Sequence, residues 1–362
     1  LPMMRTDLML LSLGIFFLSE RFHSFEFKPF GQRKEDQTLR TGGKIRARLA
    51  VLLAVHRTPR TPSFSTKNPP PDLCAVETSW TDQGWRWHAV WHAPQYPPTR
   101  VVVAFHGFGR PCDEMLAYLP LYEDGTAMLS VGVTHQNGSH PPLDGPVQAV
   151  LDPEHMAKTL DAWLEDLVGP HIADVNVELL GYSLGGRVAM ALLESHPGRW
   201  MGLTLLAPDG FKKNPMYRFA VETAAGRATW AWVDRHAEGI RALIRGLRKV
   251  RILPAHLEHF ALHHTEDHAM RTLVANTWMT HRKFWPTREG MRRAWSHMAE
   301  QGGRVHVVFG DRDAIIPKSW GRGWDRLVDH PNVRFLTISS GHVMRHPTLV
   351  QSLKRTIFPC DD

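Results

Sequence analysis

From Asp72 onward, short runs of apolar and β-branched residues alternate with longer stretches in which apolar positions recur every three or four residues. Trp85–His92 (W-R-W-H-A-V-W-H) alternates apolar with polar positions, which predicts an early strand with one face toward solvent. Arg100–Phe105 (R-V-V-V-A-F) is apolar throughout after its first residue, the pattern of a strand buried on both faces. Met128–Val133, Val175–Leu180 and Met201–Ala207 predict further strands. Between them, Pro153–Val168 predicts a helix, with Asp152 as N-cap, Pro153 at the first helical position, and Met156, Leu160, Trp163, Leu164 and Leu167 on one face. Leu184–Ser195 predicts another. Strands alternating with helices at this spacing imply a mostly parallel sheet and an α/β fold.

The alternation stops at residue 209. Residues 209–300 hold helical stretches rich in Trp, Arg and His and no convincing buried strand. Strand patterns return at Val305–Phe309 and Val333–Ile338, with helices expected around Trp320–Val328 and Pro347–Thr356. The economical organisation is one α/β domain, residues 73–208 and 301–362, interrupted by a helical insertion at 209–300. No internal repeat is visible.

The first 72 residues differ. They hold 12 Lys+Arg and 6 Asp+Glu, whereas the remainder holds 31 and 30 and is nearly neutral. The net charge of +7 therefore resides mostly in this segment, and the folded part gives little reason to expect a nucleic-acid partner. Leu8–Leu18 is an apolar run well short of the roughly 20 residues that span a bilayer, and no small-x-small cleavage site follows it. We expect residues 1–72 to be a poorly ordered, dispensable extension, with membrane association or targeting as the alternative. Cys74, Cys112 and Cys360 are widely spaced, with neither a disulfide framework nor zinc-ligand spacing, which fits free thiols in a cytoplasmic protein.

The chemistry concentrates at Gly181-Tyr182-Ser183-Leu184-Gly185, which follows a buried strand pattern and opens a helix. A serine on so sharp a turn needs small neighbours, and the strained corner pushes its hydroxyl out above the sheet. A serine hydroxyl is a poor nucleophile at neutral pH. It needs a base to take its proton and a carboxylate to orient that base. Candidates follow two later strands: Asp311 and Asp313 after Val307-Val308-Phe309-Gly310, and His342 after Thr337-Ile338-Ser339-Ser340-Gly341.

With this Ser, Asp, His order, the chain from about Ala75 onward resembles the α/β-hydrolase superfamily. The resemblance implies an α/β-hydrolase fold with a helical cap. It selects Asp313, because Gly310, Asp313 and Pro317 match the family's Gly-x-x-Asp-x-x-x-Pro pattern, and leaves Asp311 as a turn residue. It also supports His342 as base. For the oxyanion, resemblance and geometry agree on the backbone N–H groups of Leu184 and of Phe108 in His106-Gly107-Phe108-Gly109. His106 is expected to be structural. Thr134-His135-Gln136-Asn137-Gly138-Ser139 occupies the place of a loop that relatives use for packing, but only Gly138 and Ser139 match it.

In relatives the segment after the sixth strand roofs the active site, so residues 209–300 are expected to be the cap. Its Trp, Phe, Met and Leu suit a hydrophobic acyl group, whereas its arginines would suit a carboxylate. His256, His259, His263 and Asp267 fall near one helix face at a spacing that could hold a metal, although a polar cap helix is the expected reading. Arg187, four residues after Ser183, is similar to the elbow of carbon–carbon hydrolases and of a menaquinone-pathway lyase, and also of many esterases.

The expected function is a serine hydrolase acting on a carboxylic ester through an acyl-enzyme, with a small acyl substrate and water as partners and no cofactor. Haloalkane dehalogenase and epoxide hydrolase would need Asp at position 183. A carbon–carbon hydrolase or lyase, and a non-catalytic binding protein on the same fold, are the alternatives.

Overall fold

The structure, a computed structural model, describes residues 74–213, 215–236, 238–239, 242, 246 and 268–358. The expectations for residues 1–72, for Cys360 and for the group His256, His259, His263 and Asp267 lie outside these residues. Among the described residues, no other group of His, Cys, Asp and Glu could hold a metal, and no helix is long and apolar enough to cross a membrane.

Eight strands form one sheet: β1 (Cys74–Asp82), β2 (Trp85–Ala93), β3 (Arg100–Phe105), β4 (Thr126–Val131), β5 (Asn176–Tyr182), β6 (Gly202–Leu206), β7 (Arg304–Gly310) and β8 (Val333–Ile338). Their order across the sheet is β1-β2-β4-β3-β5-β6-β7-β8. The β1–β2 and β2–β4 pairs are antiparallel and every other pair is parallel. This is the mostly parallel α/β sheet that the alternating pattern implied, in the α/β-hydrolase arrangement that the resemblance implied.

β3 shows why its sequence is continuously apolar. Val101, Val103 and Phe105 point into one buried layer, and Val102 and Ala104 into the other. The first layer is closed by helices α1 (Pro153–Val168), α2 (Leu184–Ser195) and, later in the chain, α5 (Arg288–Glu300). The second is closed by the 3-10 segment Cys112–Leu121 through Met115, Tyr118 and Leu121, and by α6 (Pro347–Ile357) through Val350, Leu353 and Ile357. α1 starts as expected, with the Asp152 carboxylate accepting the Glu154 N–H at 3.0 Å.

Two expectations shift. Within 209–300, α5 is amphipathic and buries Met291, Ala294, Trp295 and Met298 in the first core layer, so it belongs to the α/β layers rather than to a roof. The more distal helices are α3 (Ala224–Arg235) and α4 (His268–Thr280), after two helical turns at Pro215–Tyr217 and Arg218–Glu222. The helix expected around Trp320–Val328 is only a 3-10 turn at Lys318–Gly321 followed by turns. Gly323 sits there at φ 82°, outside the helical region, and the Trp324 indole N–H is drawn to the Phe211 carbonyl at 3.1 Å instead of following a helix face.

Candidate active site

Ser183 stands between β5 and α2 with φ 53° and ψ −117°, a conformation costly for any residue with a side chain. Three backbone bonds hold it there. Its N–H donates to the Leu206 carbonyl at 3.0 Å, and its carbonyl accepts from the Gly186 and Asp209 amides, each at 2.9 Å. The flanking glycines are required by close approach. A Cβ at Gly181 would lie 2.5 Å from the Gly185 carbonyl oxygen, and one at Gly185 would overlap the carbonyl oxygen of Phe105.

The later strands deliver the other two residues to the same place. His342 Nε2 lies 3.1 Å from Ser183 Oγ, and His342 Nδ1 lies 2.8 Å from Asp313 Oδ2. Because an ionised carboxylate only accepts, Nδ1 carries the proton toward Asp313, which leaves the Nε2 lone pair facing the serine hydroxyl. The Asp313 side chain is fully buried, and its second oxygen accepts the Ile315 and Ile316 amides at 2.8 and 2.9 Å. Those two bonds fix the carboxylate plane. Asp311 faces elsewhere: its Oδ1 accepts the Ser340 N–H at 3.0 Å, tying the strand end before His342.

The two candidate oxyanion donors sit beside the serine. Leu184 is the first residue of α2, where a backbone N–H has no acceptor within the helix. The loop carrying Phe108 lies against the elbow, since a Cβ at Gly107 would be 3.3 Å from Ser183 Cβ and 2.9 Å from the Tyr182 ring. The loop closes as a turn, with the Arg110 N–H donating to the Gly107 carbonyl at 3.2 Å.

His106 is structural, as expected. Its Nδ1–H donates to the Gly107 carbonyl at 2.7 Å, while Nε2 accepts the Val133 N–H at 2.9 Å. Complete burial pushes the imidazole down to about 4, so it stays neutral in this role.

Three supporting residues, Gln136, Asn137 and Tyr182, left no readable signal in the sequence. Gln136 Oε1 accepts the Gly109 N–H at 2.7 Å, and Asn137 Nδ2 donates to the Arg110 carbonyl at 2.9 Å, so the loop after β4 braces the Phe108 turn. Ser139 Oγ donates to the Gly132 carbonyl at 2.8 Å. Despite its poor match, this loop therefore does have a packing role. Tyr182 donates its hydroxyl to the His342 carbonyl at 3.2 Å and sets its ring 5.4 Å from the imidazole, supporting the base from below. Burial raises its pKa, so the phenol remains a donor.

Arg187 lies buried in α2. Its buried guanidinium pairs with Asp209 at 3.5 Å and lies 5.3 Å from the Tyr217 ring and 4.6 Å from the Trp285 ring. It thereby joins α2 to the segment that follows β6.

A model of the family described as serine aminopeptidase, S33, matches residues 96–350, well over half of the chain. No curated protein matches the sequence. Among solved structures, a probable hydrolytic enzyme from Pseudomonas aeruginosa PAO1 is similar at 15% identity and a TM-score of 0.52, over 79% of this chain and 95% of that one. An alpha/beta hydrolase enzyme from a Medee basin deep-sea metagenome library is similar at 12% identity and a TM-score of 0.51, over 79% and 98%. At such identities the likeness shows the fold alone.

Proposed function

The chain belongs to the serine aminopeptidase S33 family of α/β hydrolases, and from that membership we propose that it is a serine hydrolase cleaving a carboxylic ester of a small, hydrophobic acyl substrate. The observation that carries the proposal is the unbroken hydrogen-bond chain from Ser183 through His342 to Asp313.

Ser183 Oγ attacks the acyl carbonyl while its proton passes to His342 Nε2. Asp313 stabilises the imidazolium without itself taking the proton. The carbonyl oxygen, now carrying the negative charge, accepts hydrogen bonds from the Phe108 and Leu184 amides. Collapse of the tetrahedral intermediate breaks the bond to the alcohol oxygen, which leaves with the proton from His342. Water then enters, gives a proton to His342 and attacks the acyl-serine, and His342 returns that proton to Ser183 Oγ as the acyl–oxygen bond breaks and the acid leaves. We assign the roof to the segment after β6, in which the rings of Tyr217, Trp278 and Trp285 pack together.

The test is a p-nitrophenyl ester chain-length series on the full chain and on Ser183→Ala. The expected result is hydrolysis by the wild type and a loss of at least about a thousandfold in the variant. A wild type no faster than Ser183→Ala would end the proposal. Turnover of an aminoacyl p-nitroanilide in place of any ester would move the cleaved bond from ester to amide.

A further inference from the structure

Two of the loops that form the site have no regular secondary structure, yet the reaction needs them in fixed register. One is His106–Arg110, which carries Phe108. The other runs from Gly341 to His346 and carries His342. A single carboxylate touches both. Glu114, in the 3-10 segment, takes a bidentate pair from Arg110, with Nε to Oε2 at 2.7 Å and Nη2 to Oε1 at 2.6 Å. Its Oε1 also pairs with Nη1 of Arg345, three residues beyond His342.

We infer that Glu114 is a positioning residue, whose carboxylate clamps the loop bearing the base to the loop bearing the oxyanion donor. The inference rests on the esterase reading above.

An Arg–Glu pair four residues apart is ordinarily a surface contact of little consequence. Two features distinguish this one. The Glu114 side chain is only 9% exposed, and bidentate charge-assisted bonds fix its orientation as well as its charge. The third bond also closes a contact between residues 231 positions apart, so it adds a tertiary restraint that the local pair lacks.

The charges explain the direction of failure. Arg345 has its pKa lowered by burial and then by repulsion from Arg110. Without the carboxylate between them, the two guanidiniums face each other uncompensated and the loops move apart. Asp311 and Tyr182 hold the near side of the His342 loop, through the Ser340 amide and the His342 carbonyl. Among the described residues, Glu114 alone bonds both its far side and the Phe108 loop. Displacements of about 1 Å at a reacting group cost up to about a hundredfold in rate, so a modest loosening is readable in kcat.

The experiment uses the full chain and the best p-nitrophenyl ester of the chain-length series. Glu114→Ala and Arg345→Ala should each lower kcat about tenfold with KM within about twofold, and the double variant should lose no more than either alone. Glu114→Gln, which keeps the shape and one acceptor, should lose only about threefold and carries the test if Glu114→Ala does not fold. Hydrogen exchange should quicken at residues 106–110 and 340–346 in Glu114→Ala, with an unchanged thermal midpoint. Unchanged kcat, losses that multiply in the double variant, or a kcat loss that follows a falling midpoint would each overturn the clamp. An inactive wild type would instead end the esterase reading. Hydrogen exchange would then decide the clamp, and unaltered exchange in both segments would overturn it.

Discussion

Asp311 and Asp313 are separated by one residue, yet their carboxylates serve different partners: Asp313 Oδ2 meets His342 Nδ1 at 2.8 Å, and Asp311 Oδ1 holds the Ser340 amide at 3.0 Å. Asp313→Asn should therefore lower kcat by about 10³- to 10⁴-fold, because an amide in that position favours the wrong imidazole tautomer. Asp311→Asn keeps an acceptor for Ser340 and should cost less than about tenfold. Steady-state kinetics on both variants decide this, and equal losses would refute the assignment.

Ser183 sits at φ 53°, a backbone state that glycine adopts freely and alanine does not. Both Ser183→Gly and Ser183→Ala should be inactive, but the glycine variant should be the more stable by about 1 kcal/mol, the strain relief less glycine's extra chain entropy. Urea unfolding of the two proteins measures the difference. An alanine variant as stable as the glycine one would show the elbow to be relaxed.

Gln136 braces the Phe108 turn through its bond to Gly109. Gln136→Leu preserves the approximate size of the side chain and removes the acceptor. It should lower kcat about tenfold while KM stays within about twofold, since the loss falls on transition-state stabilisation. A higher KM at constant kcat would instead mean that Gln136 serves substrate binding.

Two fully buried histidines make stability depend on pH. Burial lowers His106 to about 4 and His281 to about 3, against an unfolded value near 6.5. Below pH 6.5 the unfolded chain binds protons that the folded chain refuses, so stability is greatest above that value and falls with acidification toward the folded values. Between pH 7 and pH 5 each histidine should cost about 2 kcal/mol of unfolding free energy. Denaturant titrations at the two pH values test it, and equal stabilities would contradict this burial.

The elbow was legible because its constraint is local: a crowded strand-to-helix corner must have glycine at fixed offsets from Ser183, and that requirement is written within five residues. Asp313 and His342 were legible because each follows a strand whose apolar and β-branched run can be read, and the resemblance chose Asp313 over Asp311. The supporting residues were not. Gln136, Tyr182 and, through Arg345, Glu114 reach partners from 27 to 231 positions away, and no periodicity records such a pairing. β1 escaped notice for a different reason. It lies at a sheet edge and pairs only with β2, most of its side chains are exposed, and an apolar count sees little in it. The place of α5 was missed because an amphipathic helix looks the same whether its apolar face meets a sheet or a roof.

The base also occupies a precarious address. His342 follows β8, which is the outermost strand at its edge of the sheet, pairs with β7 alone and leaves most of its residues half-buried. Ser183 rises from β5, with a neighbour on either side. Warming should fray the rim before it reaches the interior, so catalysis is expected to go silent while most of the molecule is still folded, and to return on cooling.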